Sequence, residues 1–354
     1  MATAYADANP AEGAANDAAP ESGAETSEAV TGKAEEKAKE EKTPFFAGKG
    51  KKWMQSLGAP ILGIVIFLGL WAVTAPQVDT SLGALPGPVE VAGQGFTLFD
   101  EWSAAKDNET QFHADQDARN EAYIAAGTPE RVTDFEYNGP PTFVDQIITS
   151  LQTVALGFFL ATIVAVPIGM VCGLSPMVNA AINPLVQIMK PVSPLAWLPI
   201  VTMVISALVT SADPLLPKAF IISALVVMLC SLWPTLINTA VGTSSIDKDL
   251  LNVGRVLKLG WFAKLTRLVL PASLPYIFTG MRLSLGVGWM VLIAAEMLAQ
   301  NPGLGKFVWD EFQNGSSQSL ARIMFAVVVI GFIGFGLDRL MMGLQSLASK
   351  NRTV

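Results

Sequence analysis

Five charged or indole side chains stand inside long apolar stretches of this sequence, namely Lys190, Trp197, Arg282, Trp289 and Glu296. A charged side chain at the centre of a membrane-spanning helix costs about 2.5–3.5 kcal/mol on insertion scales, so each of the three charges needs a reason. Together such residues can line a route for a polar solute through an apolar body. We therefore take the five as candidates for a substrate pathway.

Lys190 is the most informative of the five. It directly precedes Pro191, and Pro194 and Pro199 follow in the same apolar run. Because proline has no N–H group and clashes with the preceding turn, a helix here must bend and leave carbonyl groups without donors. A cation beside a broken helix suits a pathway for an anion. The alternative is a lysine whose ammonium group reaches the cytoplasmic interface.

The other four candidates have simpler alternative roles. Arg282 can anchor its helix at the cytoplasmic face, and the two tryptophans can pack internally or lie at the membrane interface. Glu296 comes late in its helix, where a bare carboxylate would repel an anion. A structural salt bridge or a role as a gate suits Glu296 better than direct contact with such a substrate.

A second group of polar residues lies in the loop 241–271, which carries five basic residues. Its apolar residues recur at near-helical spacing, at Ile246, Leu250, Val253, Val256 and Leu257. This pattern predicts a short amphipathic helix. The helix either lies on the membrane surface with its lysines in water, or seats in a groove on a partner protein.

No motif for enzymatic chemistry is present in the sequence. The nearest approach to a phosphate-binding loop, at 303–306, has a misplaced first glycine and lacks the final hydroxyl residue. His113 is the only histidine, and Cys172 and Cys230 lie in apolar runs, which argues against a metal site or a disulfide framework. We expect no enzyme activity, no metal and no cofactor. A pI near 4.9 argues against nucleic-acid binding.

The scaffold that must position these residues is apparent from composition. The chain has 354 residues, of which 51% are hydrophobic and only 15% charged, with a mean hydropathy of +0.44. Soluble domains carry about 25% charged residues, so we predict an all-α polytopic membrane protein. A spanning helix needs about 20 apolar residues, and six stretches qualify: 54–75, 147–173, 181–209, 217–240, 274–298 and 321–345.

Charge divides unevenly along the chain and predicts its orientation. The segment 76–145 has 13 acidic and 3 basic residues, whereas lysines crowd before the first apolar run and in the loop 241–271. Since basic residues favour the cytoplasmic side, both termini are placed inside. The predicted order is a disordered cytoplasmic tail (1–52), a first helix (53–75), an acidic periplasmic segment with short amphipathic helices (76–145), the core (146–345) and a cytoplasmic tail (346–354).

The loop 241–271 resembles the EAA loop of bacterial ABC importer permeases, whose pattern is E-A-A-x3-G-x9-I-x-L-P. Aligned on Leu270 and Pro271, the glycine position falls on Lys258 and the Glu-Ala-Ala positions read Asn-Val-Gly at 252–254. The resemblance implies that this loop couples the permease to an ATPase. The residues implied are Asp247, Asp249, Asn252, Gly254, Arg255, Lys258, Gly260, Leu270 and Pro271.

Further stretches resemble the permease subunit of nitrate, cyanate and bicarbonate ABC importers, with taurine and sulfonate permeases as relatives. They are LPGP (85–88), SLQTVALGF (150–158), KPVSPLAWLPI (190–200), GWMVLIAAEML (288–298) and NPGLGKFVWDEFQNGS (301–316). The resemblance implies a type I ABC importer fold in the bacterial inner membrane. It also implies two permease copies, expected to be identical, two cytoplasmic ATPases and a periplasmic substrate-binding protein.

The implied function is the channel-forming subunit of an ATP-driven importer of a small inorganic anion, nitrate or nitrite first. Cyanate, bicarbonate or taurine and other sulfonates are the alternative cargoes. A gradient-driven transporter would also suit Lys190, but the sequence has no clear inverted repeat. A membrane enzyme would need clustered catalytic residues, which are missing. Lys306, Asp310 and Glu311 are expected either to meet the binding protein or to face solvent.

Overall fold

The computed structural model describes residues 58–80, 83–211, 214–316 and 318–350, with no side-chain description at 349 and 350. The predicted tail 1–52, the start of the predicted first helix at 53–57 and the last four residues lie outside the described residues. The chain divides into two units, the first ending at Gly69 and the second running from Leu70 to the end.

Helix α1 (Ala59–Thr74) begins in the first unit and is apolar on every side. No side chain of α1 is buried in the described structure, and Phe67 and Val73 are each about two-thirds exposed. A helix that is apolar on every side is typical of a membrane span.

The remaining elements belong to the second unit. A two-stranded antiparallel ribbon pairs β1 (Asp79–Thr80) with β2 (Gly83–Ala84) and is a small exception to the predicted all-α fold. The helices are α2 (Pro88–Ala125), α3 (Phe143–Leu174), α4 (Pro176–Met189), α5 (Pro194–Leu208), α6 (Lys218–Ser244), α7 (Lys248–Val256), α8 (Trp261–Lys264), α9 (Leu270–Ala299), α10 (Leu304–Asn314) and α11 (Ser319–Lys350). A π-helical turn, Leu265–Val269, joins α8 to α9.

Five helical stretches in the described part of the chain are long and apolar enough to cross a membrane: Ala59–Gln77, Phe143–Leu174, Lys218–Ser244, Trp261–Ala299 and Ser319–Ala348. A sixth span is possible if α4 and α5 together count as one. Five of the six sequence-predicted stretches are thus confirmed, with shifts of several residues at their ends, and the third corresponds to the bent pair α4 and α5. The predicted break in the third is also confirmed, because α4 and α5 meet at an angle of 101°.

The break lies where the prolines predict it. Lys190 is the C-cap residue of α4, and Pro194 occupies the first turn of α5, where a missing N–H group costs nothing. The hydroxyl group of Ser193 accepts the N–H of Leu195 at 3.3 Å and so caps the new helix.

Helix α6 lies at the centre of the core, between α3 and α9. A row of small residues along α3 lets the two backbones approach closely: a methyl group added at Gly157, Gly169 or Gly173 would fall 2.5–2.7 Å from a carbonyl oxygen of α6. On the other side Gly280 packs equally closely against the turn at Pro234. Small residues at spacings of four are a common device for packing helices within membranes.

A buried hydroxyl group satisfies two backbone polar groups of α6 beside Pro234. Ser284 on α9 donates to the carbonyl oxygen of Ser231 at 2.5 Å and accepts the N–H of Thr235 at 3.0 Å. These two backbone groups would otherwise pair with each other in a regular helix. The side chain of α9 is therefore inserted into the hydrogen-bond ladder of α6, which fixes the register of the two helices.

The acidic segment is organised differently from the prediction. In place of several short amphipathic helices, one helix of 38 residues, α2, runs through most of it. Helix α2 is held by the chain that returns along it: Asn120 donates to the carbonyl oxygen of Thr133 at 2.8 Å and accepts its N–H at 3.2 Å, and Gln116 bonds Asp134 and Phe135. The second half of α2 is thus held by hydrogen bonds from the side-chain amides of Gln116 and Asn120 rather than by a buried apolar face.

Candidate functional site

The sequence-predicted amphipathic helix of the loop 241–271 is confirmed as α7. The carboxylate of Asp247 accepts the N–H of Asp249 at 2.9 Å and caps the start of the helix. Asn252 accepts a bond from Arg255 at 3.1 Å on the exposed surface. Only Gly254 is buried in α7, so the helix presents almost all of its side chains outward.

Helix α7 ends in a left-handed turn at Lys258, whose φ is +50°. The N–H of Lys258 reaches the carbonyl oxygen of Arg255 at 3.0 Å, and that of Leu259 reaches Gly254 at 3.1 Å. This pair of bonds defines a Schellman ending, in which glycine is the preferred residue. Lys258 stands where the EAA pattern has its glycine. The left-handed backbone conformation that favours glycine is therefore retained here with a lysine.

We expect Lys258→Gly to stabilise this turn, because a non-glycine residue in the left-handed region costs about 1–2 kcal/mol. Lys258→Val should weaken it further, since a β-branched side chain is the least tolerant of positive φ. Protection of the amide groups of α7 against hydrogen exchange, measured on the purified permease, should rise in the first variant and fall in the second. Equal protection in both would contradict the assigned turn.

The two ends of the predicted coupling loop pack against each other. A methyl group added at Gly254 would lie 2.6 Å from Cδ1 of Leu268, so α7 rests on the π-helical turn that leads into Leu270 and Pro271. Gly260 has open space around it and precedes α8 at its N-cap. A displacement of α7 therefore acts directly on the start of α9, the helix that packs against the central α6.

Large apolar side chains are exposed around the end of α7. Val256 is 80% exposed, and Leu257, Trp261 and Phe262 are between 63% and 71% exposed. Basic residues Arg255 and Lys258 lie among them and are also exposed. An exposed apolar patch with a charged rim is typical of a protein interaction surface, which favours the docking interpretation of this helix.

Glu296 lies at the opposite end of α9 and is fully buried. Ser150 on α3 donates to the carboxylate at 2.8 Å, and the N–H of Gly305, in the first turn of α10, donates at 3.0 Å. Ser150 in turn accepts the N–H of Leu304 at 2.8 Å. We call these four residues the Glu296 cluster. Its carboxylate is held by a hydroxyl group and by a helix N-terminus, which stabilises negative charge, rather than by the cation that a salt bridge would need.

The turn between α9 and α10 is built closely around this carboxylate. A methyl group at Gly303 would meet Oε1 of Glu296 at 2.2 Å, and one at Gly305 would meet the carbonyl oxygen of Ile293 at 2.1 Å. Asn301 is buried and donates to the hydroxyl group of Thr153 at 3.1 Å. The cluster thus joins α3, α9 and α10 through polar contacts in a water-poor site.

Glu296 was singled out from the sequence, but its partners Ser150 and Gly305 and the neighbouring pair of Asn301 with Thr153 were missed. A signal was nevertheless available, because three of the stretches that carry the family resemblance meet at this point. SLQTVALGF supplies Ser150, GWMVLIAAEML supplies Glu296, and NPGLGKFVWDEFQNGS supplies the turn.

Arg282 and Trp289 both bind α11 rather than each other. Arg282 forms two bonds with Asp338, at 2.5 and 3.0 Å, in a forked pair. Trp289 is 6% exposed, donates its indole N–H to the carbonyl oxygen of Ile330 at 3.0 Å, and packs against Gly334. The polar groups of both side chains are therefore engaged between helices α9 and α11.

Lys190 and Trp197 lie on either side of the break between α4 and α5. Lys190 is exposed at the end of α4. Trp197, in the first turns of α5, has a buried indole N–H with no hydrogen-bond partner among the described residues. The five pathway candidates therefore separate into one pair at the break and three residues with structural partners elsewhere.

The polar stretch 303–312 lies at α10, and several of its charged side chains pair with other residues of the chain. Glu311 is 7% exposed, accepts from Ser319 at 2.8 Å and pairs with Arg322 at 3.0 Å. Arg322 also pairs with Glu101 of α2. Lys306 and Asp310 form a half-buried pair at 2.5 Å. Glu311 is therefore largely buried and bridges α10 to α11.

Among the described residues no group of three or more histidine, cysteine, aspartate or glutamate side chains has the geometry to hold a metal ion. The two cysteines, on α3 and α6, are free thiols.

Comparison with known proteins gives matches over most of the chain. Residues 165–347 match the family described as "binding-protein-dependent transport system inner membrane component". The nitrate import permease protein NrtB of Synechococcus elongatus is 37% identical over 204 residues, which cover 58% of this chain and 69% of that protein. The bicarbonate transport system permease protein CmpB of the same species is 34% identical over 307 residues, or 85% of this chain and 94% of that protein.

Among solved structures, a chain of the MetNI methionine ABC transporter in an inward-facing conformation aligns with a TM-score of 0.49 and 12% identity. The alignment covers 58% of this chain and 95% of that chain. The family assignment rests on the sequence matches, which include the loop 241–271, helices α6 and α9, and the Glu296 cluster's residues on α9 and α10. The chain therefore belongs to the inner-membrane permease components of binding-protein-dependent ABC transport systems, in which separate subunits hydrolyse ATP.

Proposed function

We propose that this chain carries nitrate across the inner membrane as one of two identical permease subunits. The observation that supports nitrate most is the set of nitrate permeases that are 37% identical to the chain, from three cyanobacterial species. Bicarbonate is the second candidate, because a bicarbonate permease aligns over 94% of its own length. Both are small, singly charged, planar oxyanions, so the two cargoes demand similar chemistry of the permease.

The break between α4 and α5 supports an anion route. Lys190 supplies an exposed ammonium group, Trp197 supplies an unpartnered N–H, and the N-terminus of α5 supplies a positive helix end. The other three pathway candidates suit the route less well. Asp338 neutralises Arg282, Trp289 already donates to a carbonyl group, and Glu296 is buried with its carboxyl group bonded to Ser150 and Gly305.

The coupling surface at the end of α7 supports a partner ATPase on the side that the charge distribution assigns to the cytoplasm. In this proposal α7 with Asp247, Asp249, Asn252, Gly254, Arg255 and Lys258 receives the motion of the ATPase. Gly260, Leu270 and Pro271 pass it into α9. The acidic segment 76–145 then faces the periplasm, where a substrate-binding protein delivers the anion, and no cofactor is bound by the permease itself.

Uptake of labelled nitrate tests the cargo. Cells that produce the complete importer should accumulate labelled nitrate, and a large excess of unlabelled bicarbonate should leave that uptake unchanged. Lys190→Met should lower the uptake severalfold while Lys190→Arg retains it, because only the positive charge is needed. Uptake of labelled bicarbonate alone would assign the second cargo, and unchanged nitrate uptake in Lys190→Met would contradict the route through the break.

A further inference from the structure

A cleft of about 590 Å³ opens between α2 and α10, on the side that the charge distribution assigns to the periplasm. One face of α2 forms a wall of the cleft, with Leu98, Glu101, Ala104, Ala105 and Asn108 spaced at helical intervals. Asp310, Glu311 and Asn314 of α10 form the opposite wall, and Gln146 of α3 lies at the floor. We call this space the outer cleft.

The charge of the outer cleft is negative. Three carboxylates line it against two cations: Arg322 pairs with Glu101 and Glu311, and Lys306 beside the cleft pairs with Asp310. Gln146 is 8% exposed, and its Oε1 accepts no hydrogen bond from any described residue, while its Nε2 donates to the carbonyl oxygen of Pro141. The lining therefore offers acceptors in excess of donors, together with aromatic surface from Phe143 and Phe307.

The surface of α2 around the outer cleft is also negatively charged. Helix α2 carries eight acidic and two basic residues, and Asp100, Asp107 and Asp115 are exposed. Such a surface repels an oxyanion, so the outer cleft is unsuited to the cargo itself. Its depth, its acceptors and its negative field suit a lysine or arginine side chain projecting from a protein loop, since charge complementarity directs protein association and fixes its register.

We propose that the outer cleft receives a basic loop of the substrate-binding protein, with α2 as the acidic arm that guides it. The proposal rests on the proposed function, because it names the surface on which that partner docks. The basic side chain enters between Ala104 and Asp310 and adds a cation to a site in which carboxylates outnumber cations. Docking then bears on α10, and through Leu304 and Gly305 on the Glu296 cluster.

Two adjacent residues of α2 make a matched pair of variants. Ala104 and Ser103 are both exposed, but Ala104 lines the outer cleft whereas Ser103 lies on the other side of the helix. Ala104→Arg places bulk and positive charge in the cleft. Ser103→Arg adds the same charge to the same turn outside the cleft, so it controls for the change in the overall field and in helix stability.

The probe is the substrate-binding protein that stimulates the ATPase activity of the wild-type importer when the binding protein is loaded with nitrate. Its affinity is measured for each variant of the complete importer in lipid nanodiscs. We expect Ala104→Arg to weaken binding of the substrate-binding protein about tenfold or more. The weaker binding should come mainly from faster dissociation, as for a charge placed in the buried part of an interface. Ser103→Arg should change binding less than about twofold, as for a rim position. ATPase activity without the binding protein should be unchanged in Ser103→Arg.

Equal binding by the two variants and the wild type would overturn the cleft assignment. An equal loss in both would assign docking to the general field of α2 and would also overturn it. These outcomes are distinct from a failure of the proposed function, in which no nitrate-loaded binding protein stimulates the wild-type complex at all.

Discussion

Replacement of Glu296 by leucine is expected to prevent the permease from folding stably. The substitution leaves the buried hydroxyl group of Ser150 and the N–H of Gly305 without their acceptor. Each buried polar group without a partner costs about 1–3 kcal/mol, and the lost contacts join three helices. We expect a much lower yield of folded complex and a lower midpoint of thermal unfolding in detergent, with uptake falling in proportion to folded protein.

Glu296→Gln is the matched control, because it keeps one carbonyl oxygen as an acceptor and nearly the same volume. We expect it to retain most of the folded protein and most of the uptake. If the glutamine variant folded normally but transported nothing, the carboxylate would act as a gate rather than as a structural acceptor. If the leucine variant were as stable as the wild type, the structural role of the cluster would be contradicted.

A second pair of variants tests the same cluster without changing charge. Gly305→Ala, in α10, would force a methyl group against the carbonyl oxygen of Ile293, whereas Gly286→Ala adds a methyl group in open space on α9. We expect the first variant to destabilise the permease and the second to be neutral or slightly stabilising, because alanine is the better helix former. Equal stability of the two variants would contradict the packing of the α9–α10 turn.

Reversal of both charges at the end of α7, as Arg255→Glu with Lys258→Glu, is expected to disconnect the ATPase from the permease. Both side chains are exposed and neither forms an ion pair in the described structure, so the permease should fold normally. We expect loss of ATPase subunits in co-purification and a loss of uptake of about a hundredfold, as for two reversed charges within an interface.

The control for this pair reverses two basic residues of α2, as Lys106→Glu with Arg119→Glu. It makes the same total change in charge at exposed positions on the side that the charge distribution assigns to the periplasm. Lys106 does contribute one exposed pair with Glu109, at 2.7 Å, which raises its pKa, but surface pairs of this kind contribute little to stability. ATPase subunits should co-purify normally with the control. Normal co-purification of both double variants would instead place α7 on the membrane surface.

The scaffold was largely predictable because membrane spans follow from local composition. Apolar length located six stretches, and the prolines after Lys190 located the break between α4 and α5. The amphipathic spacing around Val253 located α7. These features depend on residues close to one another in the chain, and the cost of burying backbone polar groups in lipid leaves helices as the favoured solution.

The polar contacts were less predictable because they join residues far apart in sequence. Ser150 and Glu296 are separated by 146 positions, and Glu101 and Arg322 by 221. Nothing in the local pattern showed that Glu296 would be held by a hydroxyl group and a helix N-terminus, or that Arg282 would meet Asp338. Helix α2 was missed for a related reason: its second half is supported by the amides of Gln116 and Asn120 and lacks an apolar stripe.

Uptake of labelled nitrate with and without a working ATPase partner is the most direct test of the central claim, that ATP hydrolysed by a separate subunit drives this permease. Nitrate accumulation should be lost when the partner ATPase is inactivated, and should persist when an ionophore collapses the ion gradients while ATP is maintained. Uptake that survives loss of the ATPase but disappears with the ionophore would contradict the account and identify a gradient-driven transporter.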